Sequence, residues 1–202
     1  MPDNRHEITL GVLNAVHDNS NITQRSMAGE LGIALGLTNA YLKRCIKKGL
    51  IKVRQVPANR YTYFLTAQGF SEKSRLTGAY LAQGFQFYRI ARAQCSDIFA
   101  TCAERSLHRI ALHGLTDLAE IAVLCARDHS VELVAIIDPS SQLDSYSGIP
   151  VIAEAGSDVD FDAIVITDLG NPQRAYDALT QRFGSKQVFA PEILKIKPAD
   201  GS

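Results

Sequence analysis

The sequence contains no apolar run near the ~18–20 residues that span a bilayer, and its start, MPDNRHEITL, has no apolar signal core. The four cysteines form no CxxC pair, which argues against both a zinc site and a disulfide framework. A nucleophile motif, a Walker loop and a His/Cys set at metal-ligand spacing are also missing. These absences predict a reduced, cytoplasmic protein that binds no metal and is not an enzyme.

Net charge is zero, but the charge is divided unequally along the chain. Up to Ser106 there are fourteen Lys and Arg against seven Asp and Glu, and from Leu107 onward the two counts are reversed. This asymmetry indicates two modules with different partners. The basic half is suited to bind the phosphate groups of a nucleic acid, and a solvated basic face without a partner is the alternative.

The N-terminal half predicts a helix-turn-helix followed by a hairpin. Apolar periodicity predicts three helices, over residues 7–17, 23–31 and 34–48. Thr23 is expected to cap the second helix, Gly32 to form the turn after it, and Gly49 to end the third. Two β-rich runs, 51–56 and 61–65, are joined by Pro57-Ala58-Asn59-Arg60. This order is typical of a winged helix-turn-helix.

The third helix is predicted to bury one face and to present the other to DNA. The residues expected to face inward are Leu35, Thr38, Leu42, Cys45 and Ile46. The residues expected to contact double-stranded DNA are Gly36, Leu37, Asn39, Ala40, Lys43, Arg44, Lys47, Lys48, Lys52, Arg54 and Arg60. Among them Asn39, Lys43 and Arg44 would face the major groove, while the cations from Lys47 onward would contact phosphates.

Two segments carry a family resemblance. ITQRSMAGELGIALGLTNAYLKRCIKKGLIKV, followed by YTYFLTAQGFSEKSRLT, resembles the MarR-type winged-helix regulators, and within them the EPS-associated MarR-like group. The resemblance covers roughly the first ninety residues. It implies a DNA-binding transcription factor, usually a dimer. A protein-interaction module that uses a winged helix without DNA is the alternative hypothesis.

A long helix without proline is predicted from Ala67 to about Arg105. Its mostly apolar stripe consists of Leu76, Tyr80, Leu81, Phe85, Tyr88, Arg92, Cys95, Phe99 and Cys102. We expect a partner helix to cover this stripe, which predicts a homodimer. The alternative is that the C-terminal domain folds back and buries the same residues.

The C-terminal half alternates apolar runs with helical segments. Strands are predicted over 109–113, 132–137, 149–152, 163–167 and 187–189, and helices over 117–128 and 172–183. This alternation indicates a mostly parallel sheet with helices on both faces. The predicted fold class is therefore α/β in two domains that a long helix (67–106) connects. The first domain is a winged helix (1–66), and the second is a small Rossmann-like domain (107–202).

The segment HGLTDLAEI is a reduced form of the dinucleotide-binding fingerprint. Gly114 takes the first position and Ala119 the third, but Thr116 replaces the second glycine, which argues against ordinary NAD binding. Together with IIDPSS and GIPVI, the segment resembles the small Rossmann-like domains that precede sugar acyltransferases and related nucleotide-sugar proteins. The resemblance implies a crevice for a nucleotide or sugar-nucleotide, lined by Gly114, Leu115, Thr116, Asp117, Asp138, Thr167 and Asp168.

Three interpretations of this domain remain open. In the first, the domain senses a small-molecule effector and changes DNA affinity through the long helix. In the second, it has lost its ligand and supports assembly. In the third, it is a degenerate nucleotide-sugar enzyme. His113 with Asp117, Asp138 and Asp168 forms an arrangement that resembles an acid–base cluster. We expect His113 to be a packed strand-end residue rather than a catalyst.

Overall fold

The computed structural model describes residues 4–57, 60–154 and 159–197. The chain forms two compact units that divide between Phe85 and Gln86. Each unit has its own hydrophobic core, and each is described by itself below.

The first unit is a winged helix-turn-helix, as the sequence predicts. Its elements are α1 (Asn4–Asp18), α2 (Gln24–Glu30), α3 (Leu35–Lys47), β1 (Ile51–Val56), β2 (Arg60–Leu65) and the start of α4 (Ala67–Glu104). The strands β1 and β2 form an antiparallel hairpin, the wing. Ala58 and Asn59 of the predicted connection lie outside the described residues.

Local signals in the sequence set the boundaries of the helices in this unit. The side chain of Thr23 caps α2 by accepting a hydrogen bond from the Ser26 N–H group at 3.1 Å. Gly32 and Gly49 have φ angles of +62° and +71°, which non-glycine residues rarely adopt. All three residues therefore act as the sequence predicts.

The core of the first unit collects apolar residues from α1 to α4 and from both strands. From α3 it takes Leu42 and Cys45 as buried residues, with Thr38 buried and Ile46 half-buried beside them, as predicted. The prediction that Leu35 faces inward is wrong, because its side chain is 41% exposed. Leu35 is the first residue of α3 and is not part of the unit's core, so helical periodicity alone misplaced it.

The second unit contains a six-stranded sheet. Its strands are β3 (Arg109–His113), β4 (Glu132–Ile137), β5 (Ser145–Tyr146), β6 (Ile149–Ile152), β7 (Ala163–Ile166) and β8 (Val188–Phe189). The order in the sheet is β5-β6-β4-β3-β7-β8, and every pair is parallel except β5 with β6. The short antiparallel edge strand β5 was not predicted, and neither was the 3-10 helix Glu192–Leu194.

Helices lie on both faces of this sheet, as predicted. Ile110 and Leu112 of β3 pack on one face with residues of α5 (Asp117–Ala126) and of the second half of α4. Ala111, which alternates with them, belongs to the core on the other face with residues of α6 (Pro172–Phe183). The alternation follows from the two-residue period of a strand, and burial on both faces explains why the three central residues of β3 are all apolar.

The apolar stripe of α4 has three different environments. Leu76 is buried in the core of the first unit. Cys95, Phe99 and Cys102 are fully buried in the core of the second unit, so the expected partner helix is wrong for this part and the fold-back alternative is correct. The middle part is different, because every residue from 77 to 86 is exposed. Three large apolar side chains of this exposed part are Tyr80, Leu81 and Phe85, and Tyr88 just after it is exposed as well.

The four cysteines are free and buried. Burial raises the pKa of Cys45 and Cys102 to about 11 and that of Cys95 to about 12, and it also raises the pKa of Cys125. Because the thiolate is the reactive form, we expect the native protein to react negligibly with a thiol reagent such as Ellman's reagent at pH 8, and four thiols to react in denaturant. Fast reaction of any thiol in the native state would contradict this burial.

Two negative observations hold for residues 4–57, 60–154 and 159–197. No helix there has both the length and the apolar character that crossing a membrane requires. No group of three or more His, Cys, Asp or Glu side chains there is arranged to hold a metal ion.

Candidate nucleic-acid interface and candidate ligand crevice

The outer face of α3 is open to solvent. Of the residues predicted to contact DNA, those exposed on α3 and directly after it are Gly36, Leu37, Ala40, Lys43, Arg44, Lys47 and Lys48. None of the four cations makes an ion pair within the described part of the chain. Their side chains are therefore available to phosphate, whose charge they complement.

Asn39 differs from its neighbours on α3 because it is half-buried. Its Oδ1 atom is buried and has no hydrogen-bond partner among the described residues. The structure thus places only part of this amide toward solvent. Leu35, which sequence analysis assigned to the core, is instead exposed beside Gly36, and its position at the helix end is the only signal that could have shown this.

The wing adds two exposed cations to the first unit. Lys52 and Arg54 lie two residues apart on β1, so their side chains point to the same side of the hairpin. Arg60 begins β2, but its side chain lies outside the described part of the chain. Next to it, Tyr61 is 51% exposed, an aromatic residue on the wing that sequence analysis did not assign.

A crevice of about 580 Å³ lies in the second unit at the carboxyl ends of β3, β4 and β7. The connections after β3 lead first to one side of the sheet, to β4 and β6, and later to the other side, to β7 and β8. Such a reversal of strand order creates the crevice in which open α/β sheets bind ligands. Within this unit the structure therefore has a crevice at the position that the resemblance implies.

The crevice brings together most of the predicted residues. Its lining comprises His113, Gly114, Leu115, Thr116, Ile137, Asp138, Pro139, Ser140, Asp168, Gly170 and Asn171. Asp117 and Thr167 are outside this lining. The residues missed are Ile137, Pro139, Ser140, Gly170 and Asn171. The last four follow a strand end, and the same topological rule would have identified them.

Gly114 is required by a close approach of two backbone segments. Its φ angle is +97°, and a Cβ atom on it would lie 2.7 Å from the Asp168 Cα atom and 2.8 Å from the Asp168 nitrogen. The glycine therefore allows the β3–α5 turn to pass next to the segment after β7. This role belongs to the fold and is independent of any ligand.

Thr116 occupies the N-cap position of α5. Its hydroxyl accepts a hydrogen bond from the Leu118 N–H group at 3.2 Å and donates one to the Thr167 carbonyl oxygen at 2.6 Å. In dinucleotide-binding domains the pyrophosphate lies at this helix N-terminus, and a glycine lets the backbone approach it. In this chain an N–H group of the helix start is already paired, and a side chain stands where that glycine would be.

Asp138 follows β4 and is held by its own chain. Its Oδ2 accepts a hydrogen bond from the Leu115 N–H group at 2.8 Å, and its Oδ1 accepts from the N–H and hydroxyl groups of Ser140 at 2.8 and 2.6 Å. Partial burial opposes ionisation, but the bonds from Ser140, Leu115 and Ser141 outweigh it and lower the pKa of Asp138. The carboxylate is thus ionised at neutral pH and adds negative charge to the crevice.

His113 and Asp168 complete the polar wall. Burial lowers the pKa of His113, although the carboxylates of Asp168 and Asp138 oppose this effect. Its Nδ1 atom is buried and has no hydrogen-bond partner within the described ranges. Asp168 accepts a hydrogen bond from the Gly170 N–H group at 2.7 Å. A neutral imidazole between two carboxylates is suited to hydrogen bonds with hydroxyl groups and poorly suited to a phosphate.

Comparison with known proteins supports the assignment of the first unit. Residues 5–52 match a family model described as winged helix-turn-helix DNA-binding. The first unit is a winged helix-turn-helix domain. The match covers less than a quarter of the chain, and no curated protein matches it.

Several solved structures are similar to part of the chain. The PcaV transcriptional regulator from Streptomyces coelicolor is 25% identical with a TM-score of 0.35, over 39% of this chain and 59% of its own. A complex of Staphylococcus aureus MepR with DNA is 20% identical with a TM-score of 0.36, over 43% of this chain and 62% of that one. MepR itself, a regulator of the multidrug efflux pump MepA, is 23% identical with a TM-score of 0.35, over 42% and 62%. The chain spans about three fifths of the length of these structures.

Proposed function

We propose that this protein is a transcriptional regulator that binds double-stranded DNA through its winged helix as a homodimer. The observation that carries the proposal is the set of exposed cations on α3 and β1, which make no ion pair within the described residues. They lie on a helix-turn-helix frame that matches a DNA-binding family model. The resemblance of the first ninety residues to MarR-type regulators points the same way. The alternative is a winged helix that binds another protein.

Selection from a pool of random duplexes tests DNA binding, with affinity measured at two salt concentrations. We expect a recovered motif with two half-sites about one helical turn apart, because a twofold dimer presents two recognition helices. Affinity should fall steeply with salt, since each paired phosphate releases counterions. A pool without enrichment, together with weak binding that salt does not change, would favour the protein-interaction module.

Arg54 tests the contribution of the wing. We expect Arg54→Ala to weaken binding about equally on selected and unrelated duplexes. The salt slope, which is the steepness with which log affinity falls against log salt concentration, should decrease by about 0.9, the value for one phosphate contact. Fluorescence anisotropy over a range of salt concentrations measures both quantities. Arg127→Ala, which removes an exposed cation of the second unit, is the matched control. If Arg54→Ala and wild type have the same affinity and salt slope, the wing is not part of the DNA interface.

The exposed part of α4 supports the dimer. Tyr80, Leu81 and Phe85 are 57%, 52% and 61% exposed, which leaves large apolar surfaces in water in a single chain. Gly84 lies on the same helical face, and a Cβ atom on it would meet nothing within 4 Å. A second copy of the same helix would cover this surface, and twofold dimers are the commonest oligomers.

Substitution of the exposed aromatic residues tests the dimer. We expect Tyr80→Ser/Phe85→Ser to convert the protein from a dimer to a monomer of 22.1 kDa, as measured by light scattering on a sizing column. Leu124→Ser/Leu143→Ser, which changes two other exposed leucines, should leave the mass of the dimer unchanged. If wild type is already a monomer at micromolar concentration, the dimer proposal fails.

The second unit is proposed to sense a small molecule at the crevice rather than to catalyse a reaction. The position of the crevice at the reversal of strand order supports a ligand site. The pairing of the Leu118 N–H group and the charge of Asp138 disfavour a pyrophosphate at the start of α5. We therefore infer that a nucleotide or nucleotide-sugar would be held through its base and hydroxyl groups. Such a ligand changes DNA affinity only if it binds the two states of the protein differently.

Calorimetric titration with NAD, UDP-glucose and uridine tests the sensor. Saturable binding that Asp138→Ala abolishes and Asp144→Ala retains would support a ligand in the crevice. If none of the three compounds binds, the interpretation that this domain supports assembly is favoured instead. Conversion of UDP-glucose during the titration would revive the enzyme hypothesis.

A further inference from the structure

The outer face of α3 changes its chemistry along the helix. In its first turn and a half the exposed residues of this face are Gly36, Leu37 and Ala40, and Leu37 is 42% exposed. Leu35, which is 41% exposed, is the first residue of the helix and lies on the side of Leu42, about 160° around the helix from Leu37. The remaining exposed residues of this face are the cations that begin with Lys43. The start of the recognition helix therefore offers apolar side chains where many such helices would offer hydrogen-bonding groups.

The two leucines are outside the core of the first unit. Neither belongs to the hydrophobic cluster of this unit, so neither is needed to hold the winged helix together. Gly36 lies between them, although glycine costs about 1 kcal/mol relative to alanine inside a helix. A Cβ atom on Gly36 would meet nothing within 4 Å, so the chain itself gives no reason for a glycine there. A surface that approaches the helix closely from outside would supply that reason.

The charge of the same face identifies the approaching surface. Lys43, Arg44 and Lys47 follow the apolar turn and make no ion pair within the described residues. A helix that is apolar at its start and cationic toward its end complements a groove that has apolar groups at its floor and phosphates at its walls. The major groove of DNA has this arrangement, and its only methyl group is the C5-methyl of thymine.

We propose that Leu37 packs against a thymine methyl group and makes the protein select a T·A pair by apolar contact. This inference rests on the proposed function, in which the start of α3 meets base edges in the major groove. Leucine neither donates nor accepts hydrogen bonds, so discrimination at this position comes from the methyl group alone. Gly36 and Ala40 let the helix backbone come close enough for this contact.

Deoxyuridine provides the test, because it removes the methyl group of thymine and keeps every hydrogen-bonding group. Each thymine of a selected duplex is replaced in turn, and affinity is measured by fluorescence anisotropy. At one or more positions we expect a loss of about fourfold, the change that corresponds to one buried methyl group. In Leu37→Ala the same replacement should have no further effect at the corresponding position. Leu143→Ala, an exposed leucine of the second unit, should keep the full loss.

The outcomes separate this inference from the proposed function. Sequence-selective binding with no effect of deoxyuridine at any position would overturn the methyl contact and leave the regulator in place. A deoxyuridine effect that persists in Leu37→Ala would also overturn it, because another group would then contact the methyl. If no sequence is selected and Leu37→Ala instead weakens binding to a protein, both the proposed function and this inference fail.

Discussion

Replacing Gly114 by alanine is expected to destabilise the α/β unit by roughly 3 kcal/mol or more, the sum of backbone strain and overpacking. The strain arises because Gly114 has a φ angle of +97°. The overpacking arises because the new Cβ atom would lie 2.7–2.8 Å from three atoms of Asp168. Backbone atoms are two of these three, so a change of rotamer cannot relieve the contact.

Gly148→Ala is the matched control for this prediction. Gly148 has a φ angle of +82°, but a Cβ atom on it would meet nothing within 4 Å. In this variant the free energy of unfolding should therefore decrease only by the cost of the left-handed backbone, about 1–2 kcal/mol. The sequence has no tryptophan, so urea unfolding is best followed by far-UV circular dichroism. Hydrogen exchange of peptides from β3 and β7 then assigns the loss to the second unit. Equal midpoints for the two variants would show that the contact with Asp168 is unimportant.

Neutralising the cations at the end of the recognition helix is expected to have the largest effect on DNA binding. In Arg44→Ala/Lys47→Ala/Lys48→Ala we expect affinity at low salt to fall by roughly 100-fold or more, since hydrogen bonds to charged groups each contribute ~1.5–3 kcal/mol. The salt slope should decrease by roughly 2–3, because each lost phosphate contact removes about 0.9. Affinity measured from 50 to 300 mM salt on a selected duplex gives both values.

The control for this variant removes three cations at other positions. Arg127→Ala/Arg174→Ala/Lys186→Ala changes the net charge by the same amount, and all three residues are exposed on the second unit. Its affinity should remain within a fewfold of wild type, and circular dichroism should show that both triple variants fold. If the two triple variants lose equal affinity, binding depends on net charge and not on a recognition helix.

The boundaries of the elements were largely predictable because their causes are local. The Thr23 side chain caps α2 through a residue three positions away, and Gly49 ends α3 through its own backbone angle. The apolar centre of β3 and the apolar run of β4 similarly indicated strands buried on both faces. The charge of the first half and its order of elements were enough to predict a winged helix.

Burial was less predictable, because it depends on residues that are distant in sequence. Leu35 and Leu42 are seven residues apart and therefore lie on the same face of α3, yet only Leu42 is covered by the core. Along α4 one apolar pattern includes Phe99, which the sheet covers, and Phe85, which is 61% exposed. Periodicity gave these residues the same assignment and could not separate them.

The sequence by itself determined the winged helix, the parallel α/β domain and their helices and strands, except for the edge strand β5 and the 3-10 helix Glu192–Leu194. It also indicated the strand ends at which the crevice lies. The tertiary structure alone decided how the polar groups of that crevice are paired. Asp138 binds the Leu115 N–H group across 23 positions, and Thr116 binds the Thr167 carbonyl across 51. The physical reason is that caps, turns and periodicity act within a few residues. Hydrogen bonds and burial between distant segments exist only once the chain has folded.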